Sequence, residues 1–122
     1  MKFQIDAPAG LNVVRGYAAG NLRVGEEVFT TSVILTPTAL IAPWRPATAD
    51  DLAPEDLQPL LDLEPEVVLL GTGASQQFPD PRVLRVLYER GVGVEVMDTS
   101  AACRTFNVLV AEGRSVAAAL IV

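Results

Sequence analysis

The sequence predicts an α/β fold: three layers with a mixed central sheet, in which N-terminal antiparallel β-hairpins precede a β-α-β-α-β half. Three observations predict it. From Val67 to Val122, short apolar runs alternate with stretches of helical periodicity. Between Leu11 and Leu35, turn residues punctuate β-branched segments at hairpin spacing. The chain has 122 residues and half of them are hydrophobic, which suits one domain over 1–122 that buries its core without disulfides or metal.

The elements follow in order. Leu11 to Ala18 alternates through Val13, Arg15 and Tyr17, Gly20-Asn21 marks a turn, Leu22 to Val24 is a short strand, and Gly25-Glu26 turns again. Val28 to Leu35 reads as one further strand with both faces partly covered. Thr36 to Pro46 holds Pro37, Pro43 and Pro46, so it reads as a connector without a regular ladder, with Trp44 plugging the edge of the core. The acidic stretch after Thr48 predicts a short helix that starts near Asp56, tolerates Pro59 in its first turn and turns Leu57, Leu60, Leu61 and Leu52 inward. Its acids read as a solvated face.

Val67 to Leu70 is the apolar run of a strand buried on both faces, ending in Gly71-Thr72-Gly73. Asp80-Pro81 then offers an N-cap and a proline at the first helical position, Val83, Leu84, Val86 and Leu87 give the buried stripe, and Gly91 stops the helix. Val94 to Met97 is the next strand. A helix from Asp98-Thr99 to Glu112 and a last strand from Val116 to Val122 complete the half. Strand, helix, strand at these lengths implies a right-handed crossover and a parallel pair. Glu112 and Arg114 are placed to pair across the helix end.

Composition removes several function classes. The net charge is −6 and no basic run occurs, which argues against nucleic acid and anionic membrane surfaces. Zero histidines and a single cysteine remove the usual Ser-His and Cys-His pairs, an internal disulfide and a zinc site, so no metal and no cofactor is expected. No apolar run approaches the roughly 20 residues of a membrane-spanning helix, and the start MKFQIDAPAG carries no cleavable signal pattern. The expected location is cytoplasmic.

The segments GTG at Gly71 to Gly73, GVGVEVMDT at Gly91 to Thr99, AACRTFNVL at Ala101 to Leu109 and EGRSVAAAL at Glu112 to Leu120 carry a resemblance. They resemble the signature of a small domain family represented in mitochondria by an assembly factor of respiratory complex I and in animals by an adipogenesis-associated protein. The likeness runs nearly without a gap from Val67 to Val122 and is weaker in the first half. It implies the three-layer fold with its mixed sheet and a protein partner in respiratory-complex assembly. It supplies no catalytic residues.

Physical reasoning locates the candidate site beyond the carboxyl ends of the parallel strands, where Gly71, Thr72 and Gly73 meet Asp98, Thr99 and the start of the next helix. The glycines allow close backbone approach, the helix N-terminus favours an anion, and Arg104 follows just past the first turn. A nucleotide fits poorly: Gln76 stands where a dinucleotide fingerprint has its third glycine, and Pro79-Asp80 delay the helix. Cys103 reads either as a thiolate stabilised by the helix dipole and Arg104, with Thr99 as N-cap, or as a small buried core residue beside Phe106. Asn107, unfavourable inside a helix, reads as a brace to a neighbouring loop such as the glycine turn.

Two functions follow. The first is a non-enzymatic interaction or assembly module; the balance of missing acid, base, metal and nucleotide equipment is against an enzyme. The second is a binder of, or modest enzyme acting on, a small anionic ligand between Gly71–Gly73 and Thr99–Arg104. The oligomeric state stays open.

Overall fold

The computed structural model describes residues 10–122. The segment before Gly10, on which the signal-pattern expectation falls, lies outside the described residues. Strands β1 (Val14–Ala18), β2 (Asn21–Val24) and β3 (Glu27–Phe29) form an antiparallel sheet in sequence order. A second, five-stranded sheet is built from β4 (Val33–Leu35), β5 (Leu40–Ile41), β6 (Val67–Gly71), β7 (Gly93–Met97) and β8 (Val116–Leu120). Its order is β5-β4-β8-β6-β7: β6 runs parallel to both β7 and β8, and β4 is antiparallel to β8 and β5.

The period of two along a strand sorts side chains between two cores, which makes the large sheet the middle layer. Leu69, Val116, Ala118, Leu120, Val33 and Leu35 face one side, where Val14, Tyr17 and Leu22 of the small sheet and Phe106 and Val110 of helix α3 (Thr99–Ala111) cover them. Val68, Leu70, Ala117, Ala119 and Ile34 face the other. There they meet Trp44, Leu57, Leu60, and Leu84 and Leu87 of helix α2 (Pro81–Tyr88). Each large apolar side chain buried this way contributes about 1.5–3 kcal/mol.

Both longer helices begin and end as their local sequence dictates. Asp80 caps α2, accepting the Arg82 N–H at 2.9 Å, with Pro81 where its missing donor is harmless. After α2 and α3, Gly91 and Gly113 take left-handed φ values of 73° and 75°. The following N–H groups, of Val92 and Arg114, reach back to Leu87 and Leu109 carbonyls, so the orphan carbonyls are satisfied.

Five expectations are corrected. Val28 to Leu35 is not one strand: β3 and β4 belong to different sheets, and Thr30 to Ser32 carry the chain between them. An eight-residue strand would have left β4, buried throughout, unable to reach the central sheet while Val28 stays exposed on the small one. The connector does supply a short ladder, β5, because Asn12 Nδ2 holds the Thr36 and Ala39 carbonyls at 2.9 and 3.1 Å and shapes the turn into it. The acidic segment starts earlier, as a 3₁₀ turn Pro54–Leu57 after Ala53 that runs into helix α1 (Gln58–Asp62). Asp56 is no solvated helix-start charge, since it is buried and paired with Arg45. Arg114 pairs with Glu66 at 3.6 Å across the strand start, and not with Glu112.

Trp44 is the plug the connector was expected to supply. It is buried and donates its indole N–H to the Asp56 carbonyl at 2.9 Å. Asp56 in turn accepts from Arg45 at 2.8 and 2.6 Å and from the Ala53 N–H at 2.8 Å. The Arg45 guanidinium, set against a burial penalty, holds the Asp56 carboxyl below its usual range.

Candidate functional site

The parallel strands β6 and β8 end side by side, and α3 starts over their carboxyl ends. Gly71 closes β6. A Cβ there would stand 2.9 Å from Thr99 Oγ1, 3.0 Å from Thr99 Cα and 3.1 Å from Leu120 Cδ2, so only glycine lets α3 begin this close. Thr99, fully buried, uses its hydroxyl twice: it accepts the Gly73 N–H at 2.8 Å and donates to the Ile121 carbonyl at 2.7 Å. Thr99 N–H returns to the Gly73 carbonyl at 2.9 Å, and Ile121 N–H to the Gly71 carbonyl at 2.9 Å. The ends of two strands and the start of one helix are thereby tied through one side chain.

Thr72 is turned inward as well. Its hydroxyl lies 2.8 Å from the Ser75 carbonyl and accepts the Gln77 N–H at 3.0 Å, folding the glycine loop back on itself. The N-cap of α3 is Asp98 and not Thr99: Asp98 Oδ1 accepts the Ala101 N–H at 2.9 Å, and Thr99 is the first helical residue. A carboxylate of the chain thus sits where an anion would meet the free N–H groups. Arg104 is exposed and donates from Nη1 to Ser100 Oγ at 2.9 Å.

Cys103 has no exposed surface, and burial pushes its thiol up to about 12, with Asp98 adding to that rise and Arg104 opposing it. The thiol is therefore neutral near pH 7. Of the two readings of Cys103, the buried core residue beside Phe106 is the one observed. One full turn into the helix its own N–H is already bonded, and the dipole has faded.

Asn107 is a brace, though not to the glycine turn. Its Oδ1 accepts the Val14 N–H and its Nδ2 donates to the Val14 carbonyl, both at 2.9 Å, so it replaces a neighbouring strand for the outer edge of β1. Gly71, Thr72, Gly73, Asp98 and Thr99 are brought together at the strand ends; Cys103 is buried in the core, Arg104 reaches back to Ser100 in the first turn of α3, and Asn107 turns to β1. Sequence reasoning passed over Tyr17, whose phenol is raised chiefly by burial and next by Cys103, with Thr99 opposing the rise. Its place in an alternating strand was visible, but its contact with a helix some eighty residues later was not. A hollow of about 590 Å³ near Leu11, Arg15, Glu26, Phe29 and Leu40 lies elsewhere. Among the described residues there is no metal-ligating cluster and no helix long and apolar enough to cross a membrane.

The layers and the hydrogen-bonded strand ends define a class: a three-layer α/β domain with a mixed sheet whose strand ends are tied to the start of a helix. Residues 14–121 match the family described as "Protein of unknown function (DUF498/DUF598)", and the chain belongs to that family. It is 40% identical over 121 residues, 97% of this chain and 68% of the other, to the zebrafish protein "NADH dehydrogenase [ubiquinone] 1 alpha subcomplex assembly factor 3". The mouse protein of the same name is 40% identical over 99 residues, and there the match covers about half of the relative, 52%. A Bordetella parapertussis protein of known crystal structure shares the fold with a TM-score of 0.85 at 42% identity, covering 93% of this chain and 98% of that one.

Proposed function

We propose that the protein is a non-enzymatic docking module that assists assembly of a respiratory NADH dehydrogenase, working in the cytoplasm through contact with a protein partner. The observation that carries the reading is kinship at 40% identity, over 97% of this chain, with a protein named for that role. The hydrogen-bonded strand ends agree with it: the polar side chains Thr72 and Thr99 are spent on the chain's own backbone. The acidic surface favours a basic partner face.

The test is removal of the protein from its host, followed by native electrophoresis of the NADH dehydrogenase, together with affinity capture using the tagged chain. Loss of assembled enzyme and capture of its subunits are expected. Normal assembly with no captured subunit overturns the reading.

One observation favours a second reading, a small anion held between Gly71–Gly73 and the start of α3: the Arg104 guanidinium stands beside Ser100 in the first turn. Its site would comprise Gly71, Thr72, Gly73, Asp98, Thr99 and Arg104, with Cys103 and Asn107 behind. A thermal-shift series with inorganic phosphate, nucleotides and small organic acids separates the two. At about 100 times its dissociation constant a ligand stabilises by about 2.7 kcal/mol. A shift that Arg104→Ala removes supports the anion; a flat series removes that reading.

A further inference from the structure

β7 borders the central sheet, and apart from one side-chain bond at Val96 it lacks the devices that blunt the other borders. β3 and β5 are short, at three and two residues, while β1 is irregular between Val14 and Gly16 and has Asn107 on its Val14 backbone. β7 has five residues, GVEVM, with no proline, no lysine and a single charge, Glu95.

The direction of its backbone groups follows from two bonds. Thr72 N–H donates to the Met97 carbonyl at 2.9 Å, so Met97 turns toward β6; alternation turns Glu95 the same way and Val94 and Val96 outward. Gln76 Nε2 meets the Val96 carbonyl at 3.0 Å, from that outer side. The Val92 N–H is held by Leu87 at 3.1 Å. The Val94 N–H, the Val94 carbonyl and the Val96 N–H therefore face outward, and no strand among the described residues lies against them.

We propose that β7 pairs antiparallel with β7 of a second copy of this chain, about a two-fold axis through Val94, joining the two central sheets. This goes beyond the assembly role and does not rest on it. In this register Val94 faces Val94, Val96 faces Val92, and Glu95 faces Gly93. The N–H of Val96 finds the Val92 carbonyl; the other two groups of that rung, the Val92 N–H and the Val96 carbonyl, are already satisfied within each chain by Leu87 and Gln76, so none is stranded. The register centred one residue on would set Glu95 against Glu95 and direct Val94 N–H onto the carbonyl that Gln76 holds.

Gly93 supplies an independent observation. A Cβ there would meet only Glu66 O at 3.8 Å and Val67 Cγ2 at 4.0 Å, ordinary contact distances, so the chain's own packing does not demand glycine. Glycine weakens a strand and often marks a bulge, a bend or a place where a ligand or another backbone approaches closely; Gly93, at the first position of β7, is open to the last of these. Across the proposed axis it leaves space for the Glu95 side chain.

Sedimentation equilibrium of the full chain, over concentrations on the order of micromolar to millimolar, reads the mass directly. A dimer in reversible equilibrium with monomer is expected. Val94→Pro removes an outward donor that the chain's own ladder does not use and returns the mass of one chain. Gly93→Glu sets two like-charged pairs across the axis and weakens the dimer by about tenfold. Circular dichroism establishes that each variant is folded; if Val94→Pro is not, Gly93→Glu carries the test alone. A single-chain mass at every concentration overturns the proposal, and so does a dimer that Gly93→Glu leaves unchanged.

Discussion

The molecule satisfies buried polar groups in two regions by opposite chemistry. At the strand ends, Thr99 joins Gly73 and Ile121 through a neutral hydroxyl. Beneath the connector, Asp56 joins Arg45 and Ala53 by way of its charged carboxylate and holds Trp44 through its backbone carbonyl. The neutral knot is sealed, whereas the ionic one has the Arg45 side chain half in solvent, at 53% exposure. A neutral network demands geometry and is indifferent to pH; an ionic one tolerates solvent on one side and carries a proton dependence.

Changes to the neutral knot are expected to weigh most. Gly71→Ala drives a methyl group into Thr99 backbone and is expected to destabilise by about 3 kcal/mol, read as a lower urea midpoint. Thr99→Val keeps the shape but strands the Gly73 N–H and the Ile121 carbonyl, at about 2–3 kcal/mol and with no dependence on pH between neutrality and mild acid.

Asp56→Asn is expected to fall lower, about 1–2 kcal/mol, since Arg45 remains solvated. Here the pH sign is fixed by a folded carboxyl held below 3.8. The stabilisation is complete above the unfolded carboxylate range and is lost as pH falls through the folded value, so the wild-type melting temperature should drop in acid more steeply than that of Asp56→Asn. If both slopes coincide, the ionic knot is not what confers acid sensitivity.

The smallest effect at neutral pH belongs to Cys103. Its thiol, raised from 9.0 to about 12, keeps its proton when folded. The stability it lends is present below pH 9 and declines between the unfolded and folded values, and Cys103→Ala should flatten that alkaline decline. Native protein should resist iodoacetamide at neutral pH until denaturant opens it.

The parallel half was legible because its signals are local. Asp80-Pro81, Gly91, Gly113 and the apolar run at Val67 each act on their own turn or strand, and each marks an observed boundary. What escaped depends on partners far along the chain. The local sequence puts Thr99 at the candidate site, yet its role as a tie to Ile121 requires knowing that β8 ends beside β6. Asn107 reads as a brace from its place inside a helix, but Val14 is 93 residues away, and nothing local distinguishes it from the nearer glycine loop. The break in Val28 to Leu35 was invisible for a related reason: both pieces are β-branched, and only the existence of two sheets separates them.

β8 stands between β4 and β6, which share no ladder of their own. During synthesis the N-terminal and middle portions of the chain emerge first, yet they cannot be joined edge to edge until Val116 to Leu120 arrives to fill the gap. The five-stranded sheet therefore cannot be completed before β8 has been made, so its closure belongs to the last stage of folding.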